Sequence, residues 1–393
     1  MKDVLPKLDF NNTKLAFQAR SDKKLKKDYW LFRMIDSPFL TSVGPRMINF
    51  SLAVKLPIQG IIRRTLFELF CGGESLEETV KTSQYLASFG VKTILDYSVE
   101  GERTEAGFDH TCEEIGKTLI HGGQHEEVAF CACKLTGMAR IALLEKKQSG
   151  AQLSEKEAAE FERIRNRIDS LSRLAAENNT PLFIDAEETW IQDVVDALAE
   201  EMMEKYNQEK HVVFTTAQLY RHDRLEYIRG LIERSKEKGY YMGIKLVRGA
   251  YLEKETLRAK EKGYRNPMQP NKESTDRDFD AAVRLCLDHV DTVATCIGTH
   301  NETSSHLVAE ILHEKGLQID HPNVWTAQLL GMSDHISFNL AHAGYNVAKY
   351  LPYGPVKSVL PYLIRRAEEN TAIQGQSSRE VELLSREVKR RKG

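Results

Sequence analysis

From residue 91 onward, eight short β-rich runs recur along the chain, each followed by a stretch with helical spacing. They are Val91–Tyr97, Val128–Thr136, Pro181–Glu187, His211–Tyr220, Met242–Tyr251, Thr292–Asn301, Val324–Leu330 and Val347–Leu351. Near-continuous apolar runs suit parallel strands buried on both faces. The connections read as helices. Ser154 and Glu157 form a capping box that opens a helix running to Asn178-Asn179. Glu187–Lys205, Asp223–Lys238, Asp276–His289 and Ser304–Lys315 carry the same spacing. Eight β-then-α units in series predict an α/β fold of the (β/α)8, TIM-like barrel class.

The chain has 393 residues, enough for a barrel of about 250 residues plus an extra segment. The expected division is an N-terminal helical segment over 1–88, the barrel over 89–375, and a charged tail over 376–393 that ends in a frayed, solvated Lys389-Arg390-Arg391-Lys392. A net charge of -2 gives no global basic field for nucleic acid. The six cysteines form no disulfide framework, which suits a reduced intracellular protein. The N-terminus lacks the apolar core of a signal peptide, and Asp3 and Asp9 disfavour a transit peptide. The expected location is therefore cytoplasmic. The apolar stretch Ile48–Phe70 is broken by Lys55, Pro57, Arg63 and Arg64, so it is too polar to span a bilayer and is expected to pack as a helix against the main domain, with an interfacial amphipathic helix as the alternative.

In barrels of this class the chemistry sits at the C-terminal ends of the strands. Here those ends are polar: Lys134, Asp185, Gln218, then Lys245, Arg248 and Tyr251, then Thr299-His300-Asn301, Gln328 and Tyr350. Core packing alone would place Val, Ile and Leu there. One Asp or Gln is an ordinary strand-end cap, whereas seven polar ends together predict a pocket. A further helix is predicted to start near Pro361, where a first-turn proline loses no hydrogen bond. Tyr362, Arg365, Arg366 and Glu369 share one stripe of it. Two guanidiniums early in a helix suit a small carboxylate. Counting Lys134, Lys245, Arg248, Arg365 and Arg366 against Asp185 and Glu369, the pocket is expected to be cationic.

Other motifs carry less. No GxGxxG follows a strand, and Gly116-Lys117-Thr118 lacks the upstream glycine of a P-loop, so it reads as helix surface. Cys71-Gly72-Gly73 reads as a helix end. His121 and His125 have metal-ligand spacing, but Gly122-Gly123 between them predicts a loop, and no metal is expected. Gly249-Ala250 after a strand would let a flat ring approach the backbone, or simply permit a tight turn.

The segments FIDAEE (183–188), KLVRGAY (245–251), THN (299–301), AQLLGM (327–332) and YLPYG…PYLIRRAEEN (350–370) occur in an order that resembles the proline dehydrogenases, in particular the branch with the mitochondrial enzymes. The resemblance implies FAD as cofactor and oxidation of L-proline to Δ1-pyrroline-5-carboxylate, the first step of proline catabolism. It implies a membrane quinone as electron acceptor and peripheral membrane contact. The location would then be the inner face of the membrane, or the matrix side in a eukaryote. It further implies that Arg365, Arg366 and Lys134 hold the substrate carboxylate. Leu329, Tyr350 and Tyr362 would close over the ring, and Glu369 would orient the arginines. Asp185 would shape the site, with a contact to Arg366 or Tyr251 envisaged. Ala186, Gln218, Lys245, Arg248, Gly249, Ala250, Tyr251, Thr299, His300 and Asn301 would contact FAD. Lys245 departs from the arginine of other branches and offers a point charge in place of a fork. No residue stands out as the base for the substrate amine.

Three rivals remain. A class I aldolase would use Lys134 or Lys245 as a Schiff base. A hydroxyproline dehydrogenase would be expected to carry a smaller residue than Tyr350. A membrane-docked, non-catalytic barrel would not be expected to retain so many charged strand ends.

Overall fold

The computed structural model of the chain describes residues 8–35, 60, 63–99, 102–372 and 376–392, the side chains of 35, 367–372 and 376–378 excepted. The eight strands close into a barrel in sequence order. They are β1 (Val91–Tyr97), β2 (Val128–Cys133), β3 (Leu182–Ile184), β4 (Val213–Gln218), β5 (Met242–Val247), β6 (Val293–Gly298), β7 (Val324–Leu329) and β8 (Val347–Tyr353). The pairs from β2 to β7 are parallel and in continuous register, with Thr216 beside Lys245 and Lys245 beside Cys296. Helices connect the strands, among them Glu155–Glu177, Thr189–Tyr206, Arg224–Lys238, Lys272–Asp288 and Glu302–Glu314. The capping box at Ser154 is formed, each partner's side chain meeting the other's backbone.

The chain divides into two compact units, one of Ile94–Tyr97 with Gly101–Ala327, the other of Met1–Thr93, Ser98–Glu100 and Gln328–Gly393. In the first, Phe130, Phe183 and Phe214 form an aromatic cluster: Phe130 stacks on Phe183 at 4.5 Å and meets Phe214 edge-on at 5.6 Å. Trp325 adds a further edge contact to Phe130 at 5.3 Å. Side chains two residues apart share a strand face. Asp185 therefore lies on the side of Phe183, and the Lys245 ammonium sits 4.9 Å from the centre of that ring.

In the second unit the helices Asp22–Ile35, Leu360–Ala372 and Gln376–Arg390 enclose an apolar cluster that includes Phe17, Phe32, Phe70, Tyr362, Leu363, Leu383 and Leu384. The last helix replaces the expected frayed tail. Its charged composition hides an inward face on which Glu380, Leu383, Leu384 and Glu387 are all buried. Arg391 ties its end to Asp22 at 2.8 Å and to the Phe17 carbonyl at 2.8 Å.

Several boundaries differ from expectation. β2 stops at Cys133 and a 3-10 turn, Leu135–Gly137, follows. β5 and β6 stop short of Arg248 and Thr299, which leaves the loop residues clear of the ladder. β8 runs on to Tyr353, because Pro352 cannot donate a hydrogen bond but its carbonyl accepts one from Gly72 at 2.8 Å. Gly122-Gly123 is helical, within Glu105–Gln124, and not the expected loop. A Cβ at Gly122 would meet Thr180 at 2.5 Å and one at Gly123 would meet the Asn178 carbonyl at 2.4 Å, so the glycines serve close packing. Gly116-Lys117-Thr118 is in the same helix, with only Lys117 at the surface. Cys71 does cap a short helix, Glu68–Phe70. Most of Ile48–Phe70 lies outside the described residues.

Candidate active site

Four strands of the first unit supply an alternating charge cluster. Asp96, the last residue but one of β1, is almost fully buried, Lys134 follows β2, Asp185 follows β3 and Lys245 lies in β5. The Lys134 ammonium is 3.1 Å from Asp96 and 3.7 Å from Asp185. Lys245 pairs directly with Asp185. The charges balance, and burial makes each partner necessary to the others. Asp96 was overlooked in the sequence, although a carboxylate inside an apolar strand run was its signal.

Arg248, just beyond β5, is fixed from three sides. Its Nε donates to Asp276 at 2.6 Å, Nη1 to the Thr299 hydroxyl at 2.7 Å and Nη2 to the Ser304 hydroxyl at 3.0 Å. Its guanidinium carbon lies 4.2 Å from the Phe279 ring centre. Burial pushes the Asp276 carboxyl up, but hydrogen bonds from Lys272 and Arg248 outweigh it and hold the group below its ordinary value. The expected cationic excess is thus corrected for this unit: Lys134, Lys245 and Arg248 are met by Asp96, Asp185 and Asp276.

Around this cluster the predicted residues take definite places. Gln218 ends β4 and donates to the Glu187 carbonyl at 2.7 Å. Ala186 is half-buried directly after Asp185. Gly249 has φ +131°, and a Cβ there would meet the Tyr220 ring at 2.5 Å, so glycine is required by both conformation and contact. Ala250 follows it, and Tyr251 precedes the helix Leu252–Lys262 at its N-cap. Thr299 and His300 lie between β6 and the next helix, and Asn301 caps that helix by accepting from the Ser304 N–H at 3.1 Å.

Glu187 is an addition to the predicted set. It is buried, accepts from the Thr136 N–H at 3.0 Å and also accepts from the Thr136 hydroxyl. Burial first, and then the charge of Glu188, raise its carboxyl to about 7.

The second unit carries the remaining candidates. Leu329 ends β7, Tyr350 is buried in β8, and the Leu330 N–H donates to the Tyr350 carbonyl at 2.9 Å. The helix Leu360–Ala372 begins one residue before Pro361. On it Tyr362 and Arg366 are buried and Arg365 is half-buried, so the Arg-Arg pair is not a solvated basic surface. The Arg366 guanidinium carbon lies 5.1 Å from the Tyr362 ring centre. Glu369 falls outside the described side chains.

Comparison with known proteins follows this geometry. The sequence profile of the family described as Proline dehydrogenase matches residues 79–379. The chain is 34% identical over 333 residues to the carbapenem antibiotics biosynthesis protein CarD of Pectobacterium carotovorum subsp. carotovorum, covering 85% of this chain and 86% of that one. It is 28% identical over 431 residues to the mitochondrial proline dehydrogenase 1 of Dictyostelium discoideum, covering 98% of this chain and 75% of that one. Among solved structures, proline utilization A from Bdellovibrio bacteriovorus superposes with a TM-score of 0.70 at 18% identity, over 93% of this chain. The chain spans only 38% of that protein, and the likeness is one of fold.

Proposed function

The chain belongs to the proline dehydrogenase family, and from that membership we propose that it oxidises L-proline to Δ1-pyrroline-5-carboxylate with FAD as cofactor, the first step of proline catabolism. The observation that carries this reading is the burial of Arg366 against Tyr362 on a helix whose first turns hold two guanidiniums. A buried guanidinium over an aromatic ring is pre-organised to fork onto a carboxylate.

Arg365 and Arg366 hold the substrate carboxylate, with Lys134 in support and Glu369 orienting the arginines. Leu329, Tyr350 and Tyr362 cover the pyrrolidine ring and exclude water. Fixing the carboxylate and the ring at once supplies the alignment that hydride transfer needs. The buried Asp185–Lys245 pair holds the ends of β3 and β5 rigid. FAD, when bound, supplies the acceptor for the hydride leaving ring carbon five. What supports a flavin is the three-point fixation of Arg248, the exposed Gly249 next to it, and the polar run Thr299-His300-Asn301 at a helix N-terminus, a setting that favours phosphates. Ala186, Gln218, Ala250 and Tyr251 complete that wall. Lys134 and Lys245 are each engaged with carboxylates, which speaks against either acting as a Schiff-base nucleophile.

The electrons pass to a membrane quinone through peripheral contact, on the inner face of the membrane or the matrix side. Among the described residues no helix is long and apolar enough to cross a membrane.

Steady-state kinetics of Arg366→Ala test the clamp. Losing a buried, charged hydrogen-bond partner is expected to lower kcat/KM for L-proline by about 2–3 kcal/mol of transition-state binding. Near-wild-type kcat/KM would remove the assignment.

A further inference from the structure

Lys349 is among the largest fully buried side chains of the described residues, with only 1% of its surface exposed. It lies in β8, immediately before Tyr350, so the two side chains leave the strand on opposite faces. Its ammonium donates to the Leu329 carbonyl at 3.3 Å and to the Met332 carbonyl, and it pairs with Asp334 at 2.9 Å. Three partners match its three protons. Asp334 is held in turn by Arg20 at 2.7 Å, and Arg20 by Asp28 at 2.8 Å. A methionine would fill similar volume without the cost of desolvating a charge. The charge therefore has work to do beyond filling space.

That work is visible in what the ammonium touches. Leu329 and Met332 bracket the turn after β7. The turn is also bonded to β8 through Leu330 N–H and the Tyr350 carbonyl at 2.9 Å. Gly331, at its centre, has φ +81°, and a Cβ there would lie 2.3 Å from the Leu69 carbonyl. The turn thus packs closely on Leu69 at Gly331 and is bonded to Lys349 at Leu329 and Met332.

We propose that Lys349 is a positioning residue that sets the spacing of Leu329 and Tyr350, and through it the enzyme's selectivity for unsubstituted proline over ring-substituted prolines. This rests on the proline-oxidising reading and deepens it. Without the ammonium the Leu329–Met332 turn slackens. The wall over the ring then loosens, while the arginines that hold the carboxylate are untouched.

The test compares wild type with Lys349→Met and with the charge-matched double variant Lys349→Met/Asp334→Asn, each checked by circular dichroism and flavin content. Both are assayed with L-proline and with trans-4-hydroxy-L-proline. The expected result is a loss of about tenfold or more in kcat/KM for L-proline, carried mainly by KM, with a smaller loss for hydroxyproline, so that the preference ratio falls. A folded, flavin-loaded variant that keeps the wild-type ratio within about twofold overturns the proposal, because general loosening would lower both rates alike. Wild-type protein inert towards both substrates would instead overturn the reading beneath it.

Discussion

Lys245 and Asp185 form a buried ion pair, their side chains 7% and 10% exposed, with the lysine ammonium also lying over the Phe183 ring. Asp185 is shared with Lys134, and Lys134 with Asp96. The strand ends of this unit therefore carry a neutral lattice of four charges in place of a simple cationic patch.

The first prediction follows from that pairing. Asp185→Ala leaves Lys245 buried without its partner and is expected to cost about 3–5 kcal/mol, read by urea unfolding. The double variant Asp185→Ala/Lys245→Met removes the orphaned charge and is expected to recover much of that loss. Activity with proline stays low in both, which separates the pair's part in stability from its part in the site.

Arg248→Lys replaces a fork by a point charge. One ammonium cannot reproduce contacts that three guanidinium nitrogens now make with Asp276, Thr299 and Ser304. Flavin affinity, followed by fluorescence on titrating FAD into apoprotein, is expected to weaken by about tenfold or more. Unchanged affinity would remove Arg248 from the cofactor wall.

Gly249→Ala meets two obstacles, a positive φ and the Tyr220 ring. Thermal melting is expected to report a loss of about 2–4 kcal/mol. Adding Tyr220→Leu relieves the contact but leaves the backbone strain, so rescue should be partial. Full rescue would mean the strain contributes nothing.

Glu187 carries a pH signature. Its carboxyl is raised from an ordinary 4.5 to about 7, so the folded state holds the proton more tightly than the unfolded state. Its stabilising contribution is complete below about 4.5 and is lost as pH rises through about 7. Over that window wild type should lose up to roughly 3 kcal/mol relative to Glu187→Gln. Denaturant unfolding of both proteins at pH 5 and 8 measures it; parallel pH profiles would contradict it.

The barrel was legible in the sequence because parallel strands buried on both faces leave apolar runs, and all eight lie where those runs predicted. Asp96 and Lys349 were passed over because each sits inside such a run, and its partner is remote or on another element: Lys134 for the first, Asp334 for the second. The cationic pocket was over-counted for the same reason, since Asp276 meets Arg248 from the helix Lys272–Asp288, beyond the next helix. The C-terminal helix was hidden by its charge. Its apolar stripe of Val381, Leu384 and Val388, with Leu383 alongside, packs into the cluster around Phe17 and Phe32. Asn301 was read as a cofactor contact, and what the structure gives it is the cap of the helix Glu302–Glu314.

The reaction itself is tested most directly by the visible spectrum of the purified protein before and after L-proline under anaerobic conditions. The expected result is yellow protein whose flavin absorption bleaches when proline is added. A colourless protein, or a flavin band that L-proline leaves unchanged, would contradict the proline-oxidising assignment.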